Sequence, residues 1–309
     1  MRVTTNMTAG NSVYNLQQNR IKLDLLQEQI SFGKKILSPS EDPIAARQLL
    51  DLEDKLKAGE QYLGNINKAK VWLNITDTAL GGIADMIKQA KSVAAQIGSG
   101  STDQTIKDNA VSQLTEIKRQ LVNLGNTQLG EQYIFSGFND ATAPFAYQSP
   151  PVPPAGPVPN PVYAGTADDI KVAVDKGASG QLALNITGDK VLTKVGSSNI
   201  NILDEIDKLI DGINNDNPTN IRAAALQIGK SSTEIDSLRS QVAGRQMRLE
   251  SAGKMIALNK NTAQTLIENI QNVDMIKAAT ELNQQKTAFE AALSATAKIS
   301  QISLLDYLK

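Results

Sequence analysis

Apolar residues follow one dominant rhythm along this chain. From Ile228, every seventh residue is apolar: Ile235, Val242, Leu249, Ile256, Ala263 and Ile270. Three places after each stand Ser231, Leu238, Arg245, Ala252, Asn259, Leu266 and Val273, four of them apolar. A stripe this narrow is the seam of a coiled coil and not the broad face of a globular helix. The stretch from Ile228 to Val273 contains no proline, so the spacing predicts one helix of roughly 70 Å at about 1.5 Å per residue. A compact globule of this chain length would be only about 50 Å across, which predicts an elongated molecule. Leu16, Leu23 and Ile30, with Asn19 and Leu26 between them, repeat the rhythm near the N-terminus and are expected to supply the partner seam. Arg245 and Asn259, polar at seam positions, are expected to set its register.

Between these seams the pattern changes twice. Gly33 and the run Ser38 to Pro43 interrupt the first helix, and Ser38 or Asp42 can cap a new helix with proline in its first turn. A second helix is predicted from Ile44 to about Ile97, with Gly81-Gly82 as a weak point and the sole tryptophan, Trp72, as bundle packing. Ser101 with Gln104 forms a capping-box pattern, followed by a third helix carrying Val111, Leu114, Ile117, Leu121 and Leu124. After Gly130 the period shortens to two, and eight of the eleven prolines fall between Pro144 and Pro161. That tract is expected to be extended polyproline II. Ile170, Val172 and Val174, then Leu182, Leu184 and Ile186, alternate with other residues as strands do. Helices resume near Ile206, with a break at Pro218.

The fold class expected is therefore mainly α: an elongated antiparallel helical bundle or coiled coil formed by N- and C-terminal segments, with a small inserted β domain. Residues 1–44 form a terminal helical segment that pairs with 265–309. Residues 45–137 and 205–264 form the two parts of a helical rod, and 138–204 form the β insert with its proline-rich tract.

Composition narrows the function. With 31 basic and 32 acidic residues the net charge is −1, and no dense basic run favours nucleic acid or an anionic membrane. The chain has no histidine and no cysteine, which removes the commonest general base, thiolate nucleophiles, disulfides and the usual zinc ligands. The carboxylate pairs Asp168-Asp169 and Asp204/Asp207 have no companion base, and Gly81-Gly82 lacks the lysine and threonine of a nucleotide loop. No cofactor, metal or catalytic residue is expected, and an enzyme is disfavoured. The first thirty residues carry no signal-peptide pattern, and no apolar run reaches membrane-spanning length.

The chain end is unusually apolar, since Leu282, Phe289, Leu293, Ile299 and Ile302 lead into Leu304, Leu305 and Leu308. Two terminal helices with thin seams bury little by themselves, so these residues, with Leu16, Leu23, Leu26 and Ile30, are expected to form an assembly interface between subunits.

Three segments resemble the flagellin family of bacterial axial proteins, and within it the hook-associated junction proteins. Residues 29–46, QISFGKKILSPSEDPIAA, are similar to the junction proteins' QLSTGKRV..PSDDP.AA pattern, with Phe32 for threonine and Glu41 for aspartate. Residues 130–137, GEQYIFSG, resemble their GRY.FAG segment. Residues 297–308, AKISQISLLDYL, resemble their closing AKI..LSLFDYL, with Leu305 for phenylalanine. The resemblance covers about residues 1–138 and 205–309. It implies paired helical termini inside a tube, a structural role at the junction between hook side and filament, and export through the flagellar type III channel without a cleaved signal. It implies as partners copies of the chain itself, the first hook-associated protein, flagellin and an export chaperone, and an extracellular location on the flagellum. The alternatives are flagellin itself or another type III-exported needle or tip protein.

Overall fold

A computed structural model describes residues 5–98, 103–146, 160–176 and 180–307, with side chains described for all of these except residues 5, 6, 8, 9 and 299–307. Six α-helices carry the fold: α1 (Thr5–Phe32), α2 (Pro43–Gly98), α3 (Gln104–Gly125), α4 (Ile202–Asn214), α5 (Pro218–Gln271) and α6 (Met275–Tyr307). Between α3 and α4 lie three two-stranded antiparallel ladders, β1 (Gln128–Leu129) with β2 (Gln132–Tyr133), β3 (Phe145–Ala146) with β4 (Val162–Tyr163), and β5 (Lys171–Ala173) with β6 (Gln181–Ala183), and then a π-helical turn at Asp189–Thr193. The mainly helical class with paired terminal helices and small β elements is as expected. The chain divides into two compact units, Met1–Gly59 with Ala257–Lys309, and Glu60–Ile256.

The unit Glu60–Ile256 holds the hydrophobic core. Ile228, Ile235, Val242 and Leu249 are all at 0% exposure, so the seven-residue seam is real over this part of α5. Ser231, also fully buried, donates its hydroxyl to the carbonyl of Gln227 at 3.0 Å, which satisfies it inside its own helix. The partner of this seam is α2, not the N-terminal helix: Gln246 Nε2 donates to Asn74 Oδ1 at 2.9 Å, and Arg239 Nε donates to Asp77 Oδ1 at 3.2 Å. These contacts run in opposite directions along the two helices, so the pair is antiparallel. α3 lies against α2 where Gly82 allows close approach, since a Cβ there would stand 3.0 Å from Leu124. The glycine pair thus admits a neighbour without breaking α2. Lys118 bridges α3 to Asp207 of α4 at 2.6 Å, and α4 turns back onto α5 where Gly212 meets Ile221.

Caps account for most helix boundaries. Asp42 Oδ1 accepts the Ala45 N–H at 3.0 Å with Pro43 in the first turn, as expected. The cap of α3 is Asp103, whose side chain accepts from the Thr105 amide, rather than the expected Ser101, which lies outside the described residues. A break that periodicity concealed separates α5 from α6: α5 ends at Gln271, and Asp274 Oδ1 accepts from Ile276 and Lys277 at 3.0 and 3.1 Å. The seam therefore stops short of Val273.

The ladders between α3 and α4 do not build a core of their own. Phe145, Val174, Leu182, Leu184, Ile186, Val191 and Leu192 join one buried cluster with residues of α2, α3, α4 and α5. Short strands with one or two inward side chains each cannot exclude water alone, so they close on the helices. Gly125 marks the contact, since a Cβ there would lie 2.8 Å from both Leu192 and Phe145. Polar pins complete it: Asn65 of α2 donates to the Ala173 carbonyl at 3.0 Å, and Arg245 Nη1 of α5 donates to the Asn185 carbonyl at 2.9 Å. Burial lowers the Arg245 pKa, with Asp169 acting against it. Arg245 thus anchors the insert to α5. Tyr163 donates toward the Phe135 and Thr166 carbonyls at 2.9 Å each, and burial, then Asp189, pushes its phenol up to about 12. The proline-rich run at 147–159 lies outside the described residues.

Gly125→Ala is expected to lower unfolding stability by about 1–3 kcal/mol, the usual cost of overpacking, with helix content unchanged. Urea denaturation followed by circular dichroism measures this, and a variant as stable as the parent would show that the insert does not press on α3.

Candidate assembly surface

The unit Met1–Gly59 with Ala257–Lys309 has a different character. α1 and α6 pack along one another antiparallel, joined at their base by a bridge between Lys34 and Asn272, with Lys35 N donating to the Gln271 carbonyl at 2.6 Å and Val273 N to the Gly33 carbonyl at 3.1 Å. Gly33 reaches this position with φ +67°, a left-handed conformation that glycine adopts without steric cost. Along α1 the half-buried residues are Ser12, Leu16, Asn19, Leu23, Leu26, Gln29 and Ile30, with Gly33 just past its end. Along α6 they are Leu282, Gln285, Phe289, Ala292 and Thr296, with Ala278 buried. Alternating steps of three and four identify both sets as seams.

The structure therefore places Leu16, Leu23, Leu26 and Ile30 on the face of α1 that meets α6, and Leu282 and Phe289 on the facing side of α6. Leu293 stands 52% exposed beside that seam. Ile299, Ile302, Leu304 and Leu305 fall within α6, but their side chains, like the whole of Leu308, lie outside those described. On α5, Asn259 and Leu266 point outward, the latter 45% exposed, while Lys260 and Ile267 are half-buried. Beyond Ile256 the seam thus moves from the third to the fourth place after each leading residue, a drift of the kind a straight helix shows against a strict seven-residue repeat.

The sequence reading missed a second stripe on α1. Tyr14, Ile21, Leu25 and Phe32 are 61, 59, 37 and 65% exposed, and their spacing of seven, four and seven puts them on the side of the helix opposite the α6 seam. Each full step of the repeat carries one apolar residue inward and another outward. The corresponding outer face of α6 bears Ile276, 83% exposed, at its start and then Lys277, Thr280, Asn283, Gln284, Thr287 and Glu290, all exposed. Of the twenty exposed large hydrophobic residues among the described residues, thirteen belong to this unit, although it is the shorter of the two. Its only buried apolar side chains among those described are Ala263 and Ala278. A surface this apolar with no core beneath it is a candidate interaction surface.

Sites for chemistry are poor by comparison. An open groove of ≈ 480 Å³ between α2 and α3 is lined by Gln89, Gln96, Gln113 and Gln120 over Val93 and Ile117. Its carboxylate, Glu116, has a lowered pKa because Arg119 and Gln120 hydrogen-bond to it. Among the described residues no cluster of three acidic, histidine or cysteine side chains could hold a metal, and no helix is long and apolar enough to cross a membrane.

Known proteins share this arrangement. The description "bacterial flagellin N-terminal helical region" matches residues 3–140, and "bacterial flagellin C-terminal helical region" matches residues 225–308. Flagellar hook-associated protein 3 of Escherichia coli (strain K12) is 24% identical over 333 aligned residues, covering 100% of both chains. A solved flagellar hook-associated protein of Vibrio parahaemolyticus is similar with a TM-score of 0.66 at 22% identity, over 75% of this chain and 100% of that one. The flagellar junction protein of Legionella pneumophila gives 0.59 at 15% identity, over 73% and 100%. At these identities the structural likeness speaks to the fold.

Two substitutions one turn-fraction apart separate the faces of α1. Ile21→Asp is expected to keep helix content and stability within about 0.5 kcal/mol, as for most surface changes, while weakening self-association in sedimentation. Leu23→Asp places a charge in the α6 seam at a cost of about 1–3 kcal/mol and is expected to reduce helix content. Equal unfolding of both variants would show that α1 does not have two distinct faces.

Proposed function

The chain belongs to the bacterial flagellin family, and from that premise we propose that it is a structural axial subunit of the flagellum, the third hook-associated protein that joins the hook side to the flagellin filament. The observation that carries this reading is the combination of a coreless terminal helix pair with an outward apolar stripe on α1. Likeness to a hook-associated protein 3 over the full length of both chains supports the junction role in particular.

The two units divide the task. The unit Glu60–Ile256, with its continuous core, keeps its own shape. The terminal helices meet copies of the chain through Tyr14, Ile21, Leu25 and Phe32 of α1, with Leu293 and the apolar end of α6 adding to the contact. Burying such a stripe between subunits stabilises by roughly 25 cal/mol per Å² of apolar surface, so assembly supplies what the lone pair lacks. The first hook-associated protein on one side and flagellin on the other complete the set of neighbours. The subunit leaves the cell by the flagellar type III route with a chaperone covering its apolar end, and it carries load rather than catalysing a reaction.

Flagellin is the second reading, because the matched helical regions are those of flagellin. Deletion of the gene separates the two. Under the junction reading, mutant cells build hooks, release flagellin into the medium as monomer and do not swim, and Ile21→Asp supplied in trans fails to restore motility. Under the flagellin reading the medium of the deletion strain holds no other abundant filament subunit. Intact filaments on deletion cells in electron micrographs would sink the junction assignment.

A further inference from the structure

Within the seam between α1 and α6, Asn19 and Gln285 meet as a polar layer flanked by apolar residues on both helices. Asn19 and Gln285 occupy seam positions, both half-buried, between the apolar residues Leu16 and Leu23 on one helix and Leu282 and Phe289 on the other. Gln285 Nε2 donates to the Asn19 carbonyl at 3.2 Å and to Asn19 Oδ1 at 3.3 Å. With this layer in place, the antiparallel register sets Leu23 level with Leu282 and Leu16 level with Phe289.

The apolar residues by themselves do not choose that register. Sliding α6 by one seven-residue step brings Leu23 level with Phe289 and Ile30 level with Leu282, which buries apolar groups of similar size. The same slide puts the Gln285 amide against Leu26 and Asn19 against Ala292, so both amides lose their partner while half out of water. An unmade hydrogen bond costs more than a made one contributes, and a polar residue at one seam position is a known means of selecting register at some expense in stability. Arg245 and Asn259 do not fill this role: the first bonds to the Asn185 carbonyl and the second is exposed.

We propose that the Asn19–Gln285 pair is the register lock of the terminal helix pair, holding α1 against α6 so that every copy presents the outward stripe Tyr14, Ile21, Leu25 and Phe32 at the same height. The bridge between Lys34 and Asn272 tethers the base of the pair, and the amide layer prevents the slide that the apolar pattern tolerates.

The chain has no cysteine, so introduced thiols are the sole ones present. Leu23→Cys with Leu282→Cys reports the observed register, and Leu23→Cys with Phe289→Cys reports the register slipped by one repeat. A disulfide needs Cα atoms within about 7 Å, and one repeat moves a residue by roughly 10 Å, so the two pairs do not substitute for one another. Both are made in the full-length chain and in Asn19→Leu/Gln285→Leu, oxidised in dilute solution and read on non-reducing gels. In the parent background the Leu23/Leu282 pair is expected to close on the order of tenfold faster than the slipped pair, corresponding to about 1.4 kcal/mol. In the leucine background the slipped pair is expected to close at a comparable rate. A slipped pair that stays open in the leucine background would show that the bridge and the apolar pattern set the register unaided, and one that closes readily in the parent would show that there is no lock. Either result overturns the proposal.

Discussion

Each helical seam in this protein is narrow, and a narrow seam can satisfy one partner only. That constraint has opposite consequences in the two units. In the unit Glu60–Ile256 the α5 seam meets α2, and α3, α4 and the short ladders then cover the remaining sides of the pair. Ile228, Ile235, Val242 and Leu249 consequently reach 0% exposure. In the other unit α1 and α6 have each other, and nearly every seam residue described there is only half-buried. The same repeat therefore yields a core in one place and an unfinished surface in the other.

Polar groups decide where these elements stop and how they attach. Asp42, Asp103 and Asp274 cap three helices, satisfying amides that a long rod would otherwise leave open at each interruption. Asn65 and Arg245 use single bonds to backbone carbonyls to pin the ladders onto α2 and α5. Buried carbonyls in short strands need such partners because their own ladders are only two or three residues long. The insert is thereby integrated into the helical unit rather than appended to it.

The functional reading follows from this division. A subunit with one part closed around a core and another left largely uncovered is suited to an assembly whose strength lies in contacts between copies. The family supplies the setting, an axial structure of the flagellum. The exposed stripe on α1 supplies the physical reason why the subunit should not remain alone.

The family was legible in the sequence through the resemblance of residues 29–46, 130–137 and 297–308, and the helices and their spacing were legible because a seven-residue repeat and local caps such as Asp42-Pro43 depend on residues close together along the chain. Trp72 as packing and the strand pattern at Val172 and Leu182 were legible for the same reason. The choice of partners was legible in part: the pairing of the terminal segments 1–44 and 265–309 was expected, and α1 with α6 realises it, whereas the pairing of the α5 seam with α2 was not. Leu16, Leu23 and Ile30 have a spacing that fits the α5 seam as well as the α6 seam, so spacing alone did not separate the two, and the tertiary structure gives the α5 seam to α2. Arg245 and Asn259 occupy equivalent positions in the repeat, yet one reaches the Asn185 carbonyl and the other faces water. The outward stripe of α1 was hidden because its residues share the period of the inner seam, and a period alone does not say which face is covered. Local spacing determines that a helix forms and where its apolar stripes lie; which stripe is buried depends on residues more than a hundred positions away, brought alongside only when the chain folds.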